Sequence, residues 1–471
     1  MLNDKRFMKR HGAPEKQGRY VLYWMQQAQR TRENHALDLA VQLANERSLP
    51  VVCCFILTPG YPEANVRHYT FMLEGLAELK DSFREMGIPF VLLEGTPPGA
   101  LGPLLSSASA LVTDRGYLRH QRKWREEAEK LAARETVSFW EVDTDVVVPV
   151  EAASGKEEYS ARTLRPKIHR QMEFYLRPEE SPRPVLQGDL KELVPEVLLQ
   201  EKPISIPDTL SRLKIDPAVG AVKRFRGGEK AAARRLEEFL LEKLYRYGDS
   251  SHPEEELGSG LSPYLHFGQI SPVRIARAVI RETGEQSGIR EAADSFLEEL
   301  VVRRELAINF VWYNQVYDRF SGMTYPWAYR TMEDHRGDPR PELYTMEDLE
   351  GAATGDPWWN AAMEEMVHTG TMQSYMRMYW CKKILEWSRT PEEAYERAIL
   401  LNNRYFLDGR DANSYAGVAW CFGKHDRAWS ERDVFGKLRY MNAAGLKRKF
   451  RMEGYVERVR KLKEAEGNVS D

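Results

Sequence analysis

Seven consecutive apolar residues, Val51 to Leu57, stand between two stretches of helical periodicity. A run without polar alternation belongs to a strand covered on both faces, and such strands occur in parallel sheets flanked by helices. Tyr20 to Met25, Phe90 to Leu93, Leu111 to Thr113 and Val137 to Val142 read as further strands. Glu33 to Arg47, Val66 to Met86 and Leu118 to Arg134 place their apolar residues on one helical face between them. Strand, helix and strand at this spacing predict βαβ units and a Rossmann-like parallel sheet. This α/β domain is expected at residues 1–147.

The pattern then changes. Nine prolines fall between Pro149 and Pro217, so residues 148–227 read as a proline-rich connector, loop-rich with short helices at most. Beyond it, Glu229 to Tyr247, Ser271 to Glu285, Ile289 to Tyr313, Thr371 to Ser388 and Pro391 to Arg404 carry a 3.6-residue period. Ser271-Pro272 is a cap followed by proline at the first helical position. The expected fold class is therefore α/β plus all-α, with a helical domain over residues 228–471. No internal repeat or low-complexity tract interrupts it.

Charge excludes some partners and leaves others. The net charge of −3 rules out a globally basic nucleic-acid coat but not a basic face. Lys437 to Lys463 holds ten lysines and arginines against two carboxylates, Glu453 and Glu457, with Tyr440 and Phe450 interleaved. Cations for phosphates beside rings for bases is the composition of a nucleic-acid surface; a solvated helix face has the same composition. The four cysteines show no CxxC spacing and the histidines no ligand spacing, so no metal site is expected. No apolar run approaches the roughly 18 residues of a membrane span. Met1 to Arg10 has no apolar secretory core. The expectation is a cytoplasmic monomer.

Three local constellations carry chemistry. Gly258-Ser259-Gly260-Leu261-Ser262-Pro263 is a small hydroxyl-bearing turn whose N–H groups suit a pyrophosphate, or an ordinary turn between helices. Trp380 and Trp387 lie seven apart on one helical stretch, with Trp358 and Trp359 upstream. Such indoles suit a one-electron relay or plain core packing. Asp408-Gly409-Arg410-Asp411-Ala412-Asn413 is a polar loop for hydroxyls or amines, or a simple helix cap.

Taken together, four blocks resemble the photolyase–cryptochrome family, specifically the class II cyclobutane pyrimidine dimer photolyases. They are Leu261 to Ser271, Arg377 to Trp387, Asn402 to Trp420 and His425 to Trp429. The resemblance implies a helical domain holding non-covalent FAD and light-driven repair of UV-damaged DNA. It assigns Tyr247, Ser259, Gly260, Leu261, Ser262 and Pro263 to the flavin phosphates and ribityl chain. Arg377 falls near the flavin ring, and Asn402 falls near N5. Asp408, Asp411 and Asn413 fall toward the flavin–adenine region. Trp380, Trp359 and Trp387 form the photoreduction chain, and Glu299 hydrogen-bonds the dimer. Tyr375, Met378 and Trp420 line the lesion pocket, while Arg427 and Arg439 grip DNA. Arg303 stands where some members carry an aromatic residue, and there it contacts a phosphate or stacks on a base. An antenna chromophore of deazaflavin type is expected where the two domains meet. The rival readings are a cryptochrome-like blue-light photoreceptor, a flavoprotein that binds DNA structurally, and a (6-4) repair enzyme.

Overall fold

The computed structural model describes residues 4–12, 16–198, 203–285 and 288–467. Six strands form one sheet: β1 (Phe7–His11), β2 (Tyr20–Met25), β3 (Val51–Leu57), β4 (Phe90–Glu94), β5 (Ala108–Asp114) and β6 (Ser138–Val142), in the order β1-β6-β5-β2-β3-β4. Strands β2 to β6 are parallel. Their order along the sheet reverses between β2 and β5, the doubly wound arrangement that leaves a crevice at the carboxyl ends of those two strands.

All seven residues of β3 are buried, as the apolar run requires. Alternate residues of each strand serve different faces. Val21, Tyr23, Val51, Cys53 and Phe55 join one apolar cluster; Leu22, Trp24, Val52, Cys54 and Ile56 join the other. Strand β1 was not expected. Its sequence, FMKRH, has no apolar run, because it lies half-buried at an edge, antiparallel to β6.

The connector departs from expectation more sharply. It contains a fifteen-residue helix, Ala161–Tyr175, with Pro166 inside it. One proline removes one backbone bond; burial of Leu164 and Ile168 on the core face outweighs that loss. Proline density alone was a poor guide here.

The helical half is locked onto the sheet half by the start of the helix Val66–Glu85. Arg67 is buried and donates to the carbonyls of Met366 (3.1 Å), Tyr405 (2.5 Å) and Val367. His68 Nε2 meets the Phe406 carbonyl at 3.0 Å, and Asn65 donates to the Arg404 carbonyl at 2.8 Å. Gly268 packs against the backbone of Gln27: it has φ +63°, and a Cβ there would fall 1.6 Å from the Gln27 carbonyl oxygen. Only glycine closes that seam. These contacts fix segment 402–410, which carries Asn402 and Asp408.

Candidate functional site

Helix Ser374–Glu386 is the spine of the site. Its cap, Gln373, accepts from the Tyr375 and Met376 N–H groups and donates to the Ser250 carbonyl at 2.6 Å. That ties the Tyr247-bearing turn to the helix start. A second helix, Pro357–Thr369, is capped by Asp356, which accepts from the Trp358 and Trp359 N–H groups. The Tyr379 hydroxyl donates to the same Asp356 carboxylate. One carboxylate thus sets the two helices in register.

That register brings three indoles into a row. Trp359 Nε1 donates to the Trp380 carbonyl at 3.0 Å, and the Trp359 and Trp387 rings lie 5.4 Å apart at 71°. All three tryptophans are buried in the largest apolar cluster. At the outer end Tyr344 meets Trp387 edge-on at 5.0 Å.

Beside the inner end lies a polar group. Arg377 pairs with Asp408 at 2.5 Å and its guanidinium stacks 3.6 Å from the Phe406 ring centroid. Asn402 is buried and donates to Asn403 Oδ1 at 3.0 Å. Gly409 is needed for this turn, since a Cβ there would lie 2.8 Å from the Asn402 carbonyl oxygen. Arg377 Nε and Trp380 Nε1 are buried without a protein hydrogen-bond partner. They are three apart on one helix, hence on one face. Two buried N–H donors without acceptors mark a place where an acceptor-rich group belongs.

Asp408 and Asp411 face different partners. Arg410 between them has φ +61°, which turns the chain. Asp411 caps the helix Ala412–Cys421 and lies 3.6 Å from His266 Nδ1. Burial raises the Asp411 carboxyl, but His266, Arg304 and the Ala412 N–H together hold it below its usual range. Asn413 sits in the first turn of the same helix. Leu261 is buried in the apolar cluster that also holds Leu407 and Phe296, with Tyr247 against it. Ser259 Oγ accepts from the Leu261 N–H at 3.3 Å, Gly260 has φ +65°, and Ser262-Pro263 opens a short helix.

The expected helix Ile289 to Tyr313 is present but interrupted by a π-helical turn, Glu298–Arg303. Such turns recur at functional sites because they re-aim side chains. Here the turn carries Glu299 and Arg303. Glu299 is exposed, yet enough protein surrounds its carboxyl for desolvation to raise its pKa, with Arg303 opposing. Tyr247 is close enough to Glu299 for that charge to help raise the phenol, after burial. Arg303 itself pairs with Glu298 at 3.2 Å.

On the outer surface, arginines and indoles interleave. The Arg439 guanidinium lies 5.1 Å from the Trp420 ring and 4.4 Å from the Trp429 ring, and Arg427 lies 5.0 Å from Trp429. Asp426 fixes Arg439 at 3.1 Å. Trp429 opens a hairpin whose ends are joined by its N–H donating to the Lys437 carbonyl at 2.9 Å. Trp429 closes the block His425 to Trp429, but sequence alone gives it no role because its ring partners are set by the fold. Tyr375 packs edge-on against Phe450 at 4.8 Å, with Lys449 over its ring. The Met378 carbonyl faces Cys421 at 3.9 Å, on the helix that ends beyond Trp420.

A separate cavity of about 110 Å³ lies at the sheet's switch point, lined by Met25, Phe55, Tyr61, Trp124, His266 and Arg410. A cleft of about 240 Å³ shares Tyr61 and Arg410 with it. Arg410 is buried, its Nε lacks a protein partner, and desolvation lowers its pKa to about 10. Among the described residues no cluster of metal-ligating side chains and no membrane-length apolar helix occurs.

A doubly wound sheet clamped to a helical half with a buried indole row defines the photolyase–cryptochrome fold. Residues 21–185 match the family model described as DNA photolyase. The chain is 46% identical over 466 residues to the deoxyribodipyrimidine photo-lyase of Methanothermobacter thermautotrophicus, covering 98% of this chain and 99% of that one. It therefore belongs to the DNA photolyase family. Solved structures share the fold. A Synechocystis cryptochrome superposes with a TM-score of 0.74 at 17% identity, over 95% of this chain and 90% of that one. An archaeal photolyase from Sulfolobus tokodaii, described with two FAD molecules, gives 0.68 at 17% identity, over 95% and 91%.

Proposed function

We propose that this chain is a class II, light-driven DNA repair enzyme that splits cyclobutane pyrimidine dimers, with non-covalent FAD as its redox cofactor. The observation that carries the reading is the buried indole row ending at two unpartnered N–H donors, Arg377 Nε and Trp380 Nε1. A carbonyl-rich ring system is the group such donors fit. When bound, FAD supplies the light-absorbing one-electron donor.

The protein's own residues do the rest. Tyr247 and the turn Ser259, Gly260, Leu261, Ser262 and Pro263 hold the phosphate and ribityl portion. Arg377, anchored by Asp408, borders the ring; Asn402 offers a neutral amide that donates or accepts without adding charge. Asp411 and Asn413 border the same segment from the next helix. Trp380, Trp359 and Trp387 form the row along which electrons would reach bound FAD. Glu299, its pKa raised by desolvation, hydrogen-bonds the dimer where charge develops. Tyr375, Met378 and Trp420 line the lesion pocket. Arg427 and Arg439 hold phosphates, and Arg303 contacts a phosphate or stacks on a base. A dimer pairs weakly, so turning it out of the duplex costs less than turning out a normal base.

The switch-point cavity, where Arg410 Nε lacks a protein partner, is the proposed antenna site, for a deazaflavin-type chromophore bearing an anionic or carbonyl edge. The visible absorption spectrum tests the whole reading. A flavin spectrum that bleaches under blue light with reductant, followed by light-dependent loss of dimers from an oligonucleotide, is the expected result. Bleaching without repair points to a photoreceptor; a chain that takes up no FAD overturns the proposal.

A further inference from the structure

We propose that the connector carries a second stacking platform for the DNA beside the lesion, Tyr159 on Tyr325, joined through Asp426 to the cation–indole stack. The inference rests on the DNA-repair reading and extends its surface to a segment that reading leaves without a role.

Tyr159 is 48% exposed, yet its ring, hydroxyl and carbonyl all have partners. Its ring stacks on Tyr325 with centroids 4.4 Å apart and planes 13° apart. Its carbonyl accepts from the Tyr325 hydroxyl at 2.7 Å and from His425 Nδ1 at 2.8 Å. Burial holds His425 neutral, at a pKa of about 4, so Nδ1 carries the proton that this contact needs. The Tyr159 hydroxyl donates to the Asp426 carbonyl at 3.3 Å. Lys424 ties the same stretch down: its ammonium pairs with Glu157 and lies 4.4 Å from the Tyr325 ring centroid. A half-exposed ring with this many fixed contacts is neither core nor a solvated loop. Ordering it costs entropy that packing does not return.

What the platform offers is a π-face, because the phenol oxygen is already engaged. Cations surround it. Asp426, which receives the Tyr159 hydroxyl at its carbonyl, binds Arg439 through its carboxylate and precedes Arg427. Arg162 is exposed in the first turn of the helix Ala161–Tyr175. Arg165 and Arg303 share Glu298, leaving one carboxylate for two guanidinium groups. A rigid aromatic face among guanidinium groups is the composition that stacks a nucleobase while neutralising its backbone. Asp426 joins the platform to the Arg439 stack. The occupant is therefore the DNA beside the dimer, a base left unpaired where the dimer is turned out of the helix, and not the dimer itself.

The test compares two ligands by fluorescence anisotropy: a long duplex containing one dimer, and a minimal dimer-containing tetranucleotide. Tyr159→Ala is expected to weaken duplex binding roughly ten-fold and leave the tetranucleotide unchanged. Tyr159→Phe keeps the ring and is expected to bind duplex like the unsubstituted protein. Arg162→Ala is expected to lower the slope of log affinity against log salt by about 0.9, for duplex alone. Equal losses on both ligands, or none on the duplex, overturn the inference. A Tyr159→Phe variant that binds as weakly as the alanine variant overturns it as well, by assigning the effect to anchoring of the loop. If the unsubstituted protein binds neither dimer ligand, the repair reading falls with it. If that protein discriminates dimers and Tyr159→Ala matches it, only the platform falls.

Discussion

Two sets of tryptophans in the helical half share a side chain and little else. Trp359, Trp380 and Trp387 are buried, and they touch one another through a ring contact and a backbone hydrogen bond. Trp420 and Trp429 face outward with Arg439 between them and Arg427 beyond. The difference teaches what sets an indole's task. A guanidinium against an indole opposes removing an electron from that ring, because like charges then face each other at short range. The outer pair is thus poorly suited to a relay and well suited to phosphates and bases. Among the described residues, the cation seated over a ring of the buried row is at its outer end, where Lys383 lies 4.6 Å from Trp387, and Glu386 pairs with that lysine.

The largest effect separating the two sets is expected at Trp380. Trp380→Phe should bring photoreduction of oxidised enzyme down to background, with repair by chemically reduced enzyme largely intact. Loss of the larger ring costs about 1 kcal/mol of stability. Flash photolysis with a parallel repair assay reads both. Normal photoreduction in this variant would erase the distinction between the sets.

The outer set should respond in the opposite sense. Trp429→Ala is expected to lower affinity for dimer-containing duplex by about 1–3 kcal/mol, with stability within about 0.5 kcal/mol of the parent. Photoreduction should be unchanged. A variant that photoreduces slowly would place Trp429 in the relay and break the comparison from the other side. Arg439→Ala sharpens it further. Titrations across salt should show the slope fall by about 0.9, the signature of one phosphate contact. An unchanged slope would mean that Asp426 and the two indoles are the only partners Arg439 has.

How much of this was legible before the fold was known follows the same division. Strand β3 was readable because burial on both faces forces an unbroken apolar run. Strand β1 was not, because a half-buried edge strand needs no pattern. The helix Ala161–Tyr175 was hidden behind its proline, although the spacing of Leu164 and Ile168 was available. The site blocks were recognisable by resemblance. Their geometry was not, since the Trp359–Trp380 contact depends on Asp356 joining two helices. The parting of Asp408 from Asp411 was equally invisible, because a positive φ at Arg410 leaves no mark in composition. Trp429 was visible as a residue and silent as a site: its meaning comes from Arg427 and Arg439, one of them ten residues along the chain and folded back by a hairpin.

That hairpin yields the smallest predicted effect, and one confined to the outer set. Three contacts hold it to the helix Pro326–Asp334 and the turn that follows. Lys437 N–H donates to Thr331 Oγ1 at 2.9 Å, and Val434 N–H donates to Asp338 Oδ2 at 2.8 Å. His335 bridges Asp338 at 2.6 Å and Glu431 at 3.1 Å. Val434 has φ +66°, a conformation a β-branched residue adopts only when its surroundings impose it. The clasp is thus under strain and depends partly on charge. Hydrogen bonding to Asp338, then to Glu431, raises the His335 pKa above its ordinary 6.5; Arg340, at 3.5 Å from the His335 carbonyl, is the nearby cation. A raised pKa means the clasp is complete below pH 6.5 and is lost as pH climbs through the folded value. These groups are partly exposed, so water screens most of the gain. The expected result is a duplex affinity that falls about two-fold more from pH 6.5 to 8.5 in the parent than in His335→Gln, while photoreduction follows the same pH profile in both. Equal pH dependence of binding would leave the hairpin held by Thr331 and the Asp338–Val434 bond alone. A shift in photoreduction would mean that the outer surface and the buried row are coupled after all.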